Sequence, residues 1–235
     1  DIPDNWEKKT NEGGGWEDIE KLRGDINSIP DNEFYDFVKN KFDYNNLVTV
    51  LALNMLLSNG STYYHNYYLF NDLGDTKKWM IFPWDMDKTF NSYGYGWHYG
   101  WSGHWSIPAN PLFERSLIDS NVFADIREKV EELQNTFFNE DYLFQIIDST
   151  ADVIETSVAE DKTDDIGDEM TEWNEWVDDV KEFIQKRYYF LTEQFKKSPL
   201  PFKMDKMETI YTDDIPIKWN STYAPEGGEI NYTIY

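Results

Sequence analysis

Two carboxylates one residue apart, Asp85 and Asp87, stand in the run Pro83-Trp84-Asp85-Met86-Asp87, just past the apolar stretch Lys78-Trp79-Met80-Ile81-Phe82. Carboxylates at i and i+2, delivered from a strand end into a loop, can share a hard cation through oxygen ligands. Where phosphate is handled, that cation is usually Mg²⁺ with retained waters. An Asn on a neighbouring loop can complete the shell as a neutral oxygen donor, and Asn66 lies upstream. Phosphoryl transfer needs such a set, because most of its catalysis is positioning and neutralisation of charge by metal. On residue types alone, a solvated Asp-x-Asp in a turn is the competing interpretation. His65, His98 and His104 could ligate a transition metal, but no carboxylate–His spacing supports that. The Gly-rich run 93–105 carries Trp97, Trp101 and Trp105. Aromatic platforms of this kind grip peptides or stack on sugar rings, and equally serve as a plug over helices.

The elements that must position these residues follow from periodicity. Residues 1–28 are polar, with a turn at Gly13-Gly14-Gly15 and a short amphipathic stretch from Trp16 to Ile26. Pro30-Asp31-Asn32-Glu33 reads as a helix start with Asp31 as N-cap, and Phe34, Phe37, Val38 and Phe42 share one apolar face. A second helix from about Tyr44 to Ser58 is apolar nearly all round, which predicts a central, buried element that Gly60 stops. Tyr67-Tyr68-Leu69-Phe70 and residues 78–82, joined by Asn71-Asp72-Leu73-Gly74-Asp75-Thr76, predict a β-hairpin. Helices are expected at about 112–118, 121–138, 140–158 and 165–197, the last with an aromatic stripe from Trp173 to Leu191 as core packing. After Pro199 and Pro201 the pattern alternates apolar and polar around Gly227-Gly228. That is the expected opening of an immunoglobulin-like or fibronectin-III-like β-sandwich, too short to close by itself.

Composition excludes several classes. The net charge of −24, from 45 acidic and 21 basic residues, disfavours nucleic acid and anionic lipid as partners and suits cations or a basic protein. Ten Trp and 16 Tyr argue against a disordered polymer. Without cysteine there is no disulfide, zinc-thiolate site or thiol nucleophile. No run reaches the roughly 20 apolar residues that span a bilayer, so membrane insertion is not expected. A first residue of Asp1 rather than Met suggests a processed chain or an excised piece of a longer protein.

His65-Asn66-Tyr67-Tyr68-Leu69-Phe70, a short gap, and then Trp79-x-x-x-Pro83-Trp84-Asp85-x-Asp87-x-x-Phe90 resemble the signature of the spore coat protein H (CotH) kinase-like family. The segment Asn110-Pro111-Leu112-Phe113-Glu114-Arg115 and a long helix carrying Phe183-Ile184-Gln185-Lys186-Arg187 occur in the family's order, so the resemblance spans about residues 30–197. It implies a mainly α, protein-kinase-like C-lobe with a small β-hairpin. It further implies Mg²⁺ (or Mn²⁺) with ATP, and phosphoryl transfer to protein substrates. Residues 1–29 would be a linker and the remnant after a missing N-lobe, residues 30–198 the C-lobe, and residues 209–235 the opening strands of the sandwich. Asp85 would take the part of the metal-binding Asp of protein kinases, with Asp87 and Asn66 as further ligands; Asn59 competes with Asn66 for the Asn role. Family members carry a catalytic Asp where this chain has Ser61, with the spacing Ser61-x₄-Asn66. A serine hydroxyl does not accept a proton as a carboxylate does, so turnover would be reduced or lost. Trp97, Trp101 and Trp105 would face the substrate. The expected setting is extracellular or at a cell surface, a spore coat included, near surface or polysaccharide neighbours. The alternative function is a non-catalytic cell-surface or carbohydrate-associated scaffold module.

Overall fold

A computed structural model describes residues 6–59, 61–63, 65–90, 110–160, 169–197 and 231. The fold is mainly α with one two-stranded antiparallel sheet. Its helices are α1 (Glu17–Ser28), α2 (Phe34–Lys41), α3 (Tyr44–Leu56), α4 (Pro111–Ile118), α5 (Ser120–Thr136), α6 (Glu140–Glu160) and α7 (Glu169–Lys197). The strands are β1 (Tyr67–Asn71) and β2 (Trp79–Pro83). Short 3₁₀ turns sit at Asp31–Glu33 and Met86–Lys88. The aromatic run 91–109, with Trp97, Trp101 and Trp105, lies outside the described residues, as do Gly60 and all of 209–235 except Asn231.

Helix α3 is the hub. Asp43 caps it by accepting from the Asn46 amide at 3.0 Å, which satisfies one of its orphan N–H groups. Leu47, Val48, Val50, Leu51, Ala52, Met55 and Leu56 are all buried, and α3 packs on α2, α5, α7 and β2. A helix that is apolar all round belongs inside a domain, so the sequence expectation holds here. Its end differs from expectation. The helix stops at Leu56, and the chain turns at Ser58, whose φ of 53° is left-handed.

The hairpin forms as read, with Tyr68 opposite Phe82 and Leu69 opposite Ile81. One face packs inward through Leu69 and the fully buried Ile81, while Tyr68, Phe70, Phe82 and Trp84 are exposed. Strand β2 is moored to α3 by the Asn46 side chain, which donates to Ile81 O at 3.0 Å and accepts from Ile81 N at 2.7 Å. A side-chain amide thus replaces a third strand at that point.

Further helices brace the hub. Asn110 caps α4 through the Leu112 amide and donates Nδ2 to Tyr67 Oη at 2.7 Å, with Pro111 at the first helical position. Asp119 caps α5. The amphipathic stretch from Trp16 to Ile26 becomes α1, whose Leu22 and Ile26 join the core. Asp31 does not act as the N-cap expected of it. Its carboxylate accepts from Arg115, which also donates to Ile26 O and Ile29 O at the end of α1. On α7 the aromatic stripe is core only in its C-terminal half, at Phe183, Ile184, Leu191 and Phe195, while Trp176 is exposed. None of the described helices is long and apolar enough to cross a membrane.

Candidate functional site

Two loops meet at the C-terminal end of α3. The first, residues 57–66, leaves the helix and enters β1; the second, residues 84–90, follows β2. They are stitched by the backbone: Trp84 N donates to Asn66 O and Phe90 N donates to Leu57 O, each at 2.9 Å. Among the described residues of these loops four non-glycine ones are left-handed, Ser58 (φ 53°), Asn66 (61°), Asp85 (54°) and Phe90 (52°). Such residues cost roughly 1–3 kcal/mol each and persist only where surrounding packing dictates them, a pattern that concentrates at functional sites.

The Asn66 side chain joins the residues singled out from the sequence. Its Nδ2 donates to Ser61 Oγ at 2.8 Å and to Asp85 Oδ2 at 3.1 Å. Ser61 is buried, Asn66 is half-buried, and Asp85 opens to solvent. Asp87 follows in the Met86–Lys88 turn with an exposed side chain. A half-turn of the Asn66 amide exchanges Nδ2 for Oδ1 at the same place, putting a neutral oxygen beside the Asp85 carboxylate. The donor set is then hard oxygen, which fits Mg²⁺ or Mn²⁺. Among the described residues no three His, Cys, Asp or Glu side chains form a metal-binding group. One carboxylate and one amide oxygen fill only part of a six-oxygen Mg²⁺ shell, whose other ligands are commonly phosphate and water.

Asn59, the other candidate for the Asn role, sits differently. It is buried, and its Nδ2 is engaged by Asn54 Oδ1 (3.1 Å), Thr62 Oγ1 (2.7 Å) and Met86 Sδ (3.2 Å), while its Oδ1 accepts from Ser61 N (3.1 Å). These bonds make it a strut between the two loops. Asp72 is likewise committed elsewhere. Its carboxyl is held below the usual range first by the Thr76 hydroxyl, then by the Thr76 and Gly74 amides, so it closes the hairpin turn.

A contact that sequence reasoning missed is Ser61 Oγ to His65 Nδ1, at 3.2 Å. The tautomer sets which of the two donates. His65 N also donates to Ser61 O at 2.9 Å, so one turn of chain brings the pair together. The spacing Ser61-x₃-His65 was the available signal. Nearby, burial pushes the Tyr67 hydroxyl up to about 12, an effect that the Asn110 hydrogen bond opposes.

The chain thus presents a carboxylate-plus-amide pair on two interlocked, strained loops, with a serine–imidazole pair behind them. No curated protein matches the sequence. The family model described as CotH kinase protein matches residues 1–191, and the chain belongs to that family.

Proposed function

We propose that residues 30–198 form the kinase-like C-lobe of an ATP- and Mg²⁺-dependent protein phosphotransferase acting outside the cell or at its surface. The observation that carries this reading is the Asn66 amide bridging Ser61 and Asp85 across 19 positions of sequence. Asp85 and Asn66 would hold the cation, with Asp87 as a further or outer ligand. When bound, Mg²⁺ neutralises phosphate charge and orients the transferred group. Asp85 presents a solvent-exposed carboxylate beside Asn66. Asn66 ties that carboxylate to the Ser61 position, where the family places its catalytic Asp. Ser61 at that position supports slow turnover, and with it the second reading of a scaffold module in which the fold outlives the chemistry. The acidic surface suits a basic protein substrate, and residues 209–235 would begin a β-sandwich that tethers the lobe to surface or polysaccharide neighbours.

The test is calorimetric titration of Mn²⁺ into wild type and Asp85→Asn, alongside phosphate transfer from ATP to a basic protein. Asn is the informative replacement, because it tolerates the left-handed φ of 54° and still accepts from Asn66, so only the charge is lost. Outer-shell changes alone weaken metal sites by roughly 10–100-fold. Asp85→Asn should therefore bind Mn²⁺ at least about 100-fold more weakly. Equal heats in both proteins would end the assignment.

A further inference from the structure

The largest fully buried side chain among the described residues is a cation, Arg187 of α7. Its Nε donates to Met55 O at 2.9 Å, and a terminal nitrogen reaches the same carbonyl across 132 positions of sequence. The guanidinium also lies 5.1 Å from the Phe190 ring centroid and 5.9 Å from that of Phe183. Burial lowers its pKa to about 9, which leaves it charged at neutral pH.

Met55 is the penultimate residue of α3, and its carbonyl, which accepts from Ser58 N at a long 3.3 Å, lies at the negative end of that helix, where the last carbonyls lack their usual helical partners. The last turn of α3 contains no basic residue of its own. A cation from α7 supplies the charge that helices commonly take from their own C-terminal Lys or Arg. Two residues on, Leu57 O accepts from Phe90 N and so holds the Asp85 loop. The ring of Phe90 packs edge-on against Phe183 at 5.8 Å, and Phe183 lies one helical turn from Arg187. A single turn of α7 therefore touches both loops at their roots.

We infer that Arg187 is a positioning residue: with Phe183 it fixes the end of α3 and sets the Asn66 loop against the Asp85 loop. This rests on the reading that Asp85 and Asn66 form the working site. Packing alone does not call for an arginine here. A charge withdrawn from water is expensive, and apolar residues of similar volume commonly replace buried charges at little cost to stability. What an apolar replacement cannot do is hold the Met55 carbonyl.

Hydrogen exchange on the full chain separates the two roles. Four amides report the loops: Asn59, His65, Trp84 and Phe90, bonded to Asn54 O, Ser61 O, Asn66 O and Leu57 O respectively. In Arg187→Met they should exchange about tenfold faster, which corresponds to about 1.4 kcal/mol of opening free energy. Amides in the middle of α5 should keep their wild-type rates, and Arg187→Lys should restore part of the loop protection. Unchanged loop exchange overturns the inference, and so does uniform acceleration across α5 and the loops. If Arg187→Met fails to fold, Arg187→Lys decides on the same amides: loss confined to them supports the role, and no loss overturns it. Mn²⁺ titration run in parallel should show weaker binding in Arg187→Met. Wild-type protein that takes up no Mn²⁺ would defeat the proposed function, whereas the exchange pattern decides the positioning role by itself.

Discussion

Replacing Ser61 with Asp supplies the carboxylate that the proposed function expects at this position, and its effects can be worked out from the surroundings. Ser61 Oγ and Asp85 Oδ2 are both held by Asn66 Nδ2, at 2.8 and 3.1 Å, so the new carboxylate would lie within about 6 Å of Asp85. At an effective dielectric of about 20, two such charges repel by about 3 kcal/mol. Exposure of Asp85 screens this to about 1–2 kcal/mol. Metal-free Ser61→Asp should therefore unfold more easily than wild type by about that amount. A divalent cation cancels the repulsion, so saturating Mn²⁺ should raise its melting temperature more than it raises that of wild type. The gain should appear in turnover, since help from a general base is typically worth roughly 10²–10⁴-fold.

The assay is transfer of radiolabelled phosphate from ATP to a basic protein by wild type, Ser61→Asp and Asp85→Ala, each carrying the N-lobe that the family resemblance implies. Thermal melts with and without Mn²⁺ accompany it. Ser61→Asp should exceed wild type by at least about tenfold, with nucleotide affinity little changed, and Asp85→Ala should be inactive. Robust wild-type transfer that Ser61→Asp leaves unchanged would refute the reasoning. The proton would then go elsewhere, with His65, 3.2 Å from Ser61 Oγ, the first place to look and Asp87 the next.

Two further outcomes are expected. Asn46→Ala removes both hydrogen bonds to the buried Ile81 backbone and should cost about 2–3 kcal/mol in urea denaturation; a loss below about 0.5 kcal/mol would show that β2 does not depend on that mooring. Tyr67 ionises near 10 when unfolded and about 12 when folded, so the folded state keeps a proton that the unfolded chain loses; its stabilisation is complete below pH 10 and is lost as pH rises toward about 12. Tyr67→Phe should flatten the decline in melting temperature over that interval, and an unchanged slope would count against the burial effect.

The parts legible in the sequence are those written in local period. An apolar run without a polar face made α3 central, and a turn-rich gap between two short runs made the hairpin. The meeting of Asn66 and Asp85 was legible as well, because they flank the two strands whose pairing brings them together. Where the reading failed, a distant partner outbid a local rule. Asp31 had the type and place of an N-cap, but Arg115, 84 positions away, took its carboxylate. Gly60 was the natural helix stop, yet α3 ends at Leu56 and Ser58 takes the left-handed turn. The junction that follows is compact, with Asn59 reaching Asn54, Thr62 and Met86 together. Asn59 and Asn66 are equivalent by composition, and only the fold makes one a buried strut and the other the neighbour of Asp85. Arg187 shows the same limit most clearly. On the helix pattern it is one more basic residue in the C-terminal half of a long helix. Its charge serves the end of a different helix, through a carbonyl 132 positions earlier. Spacing along one element cannot report such a bond, because the geometry that makes it belongs to the packing of α7 on α3.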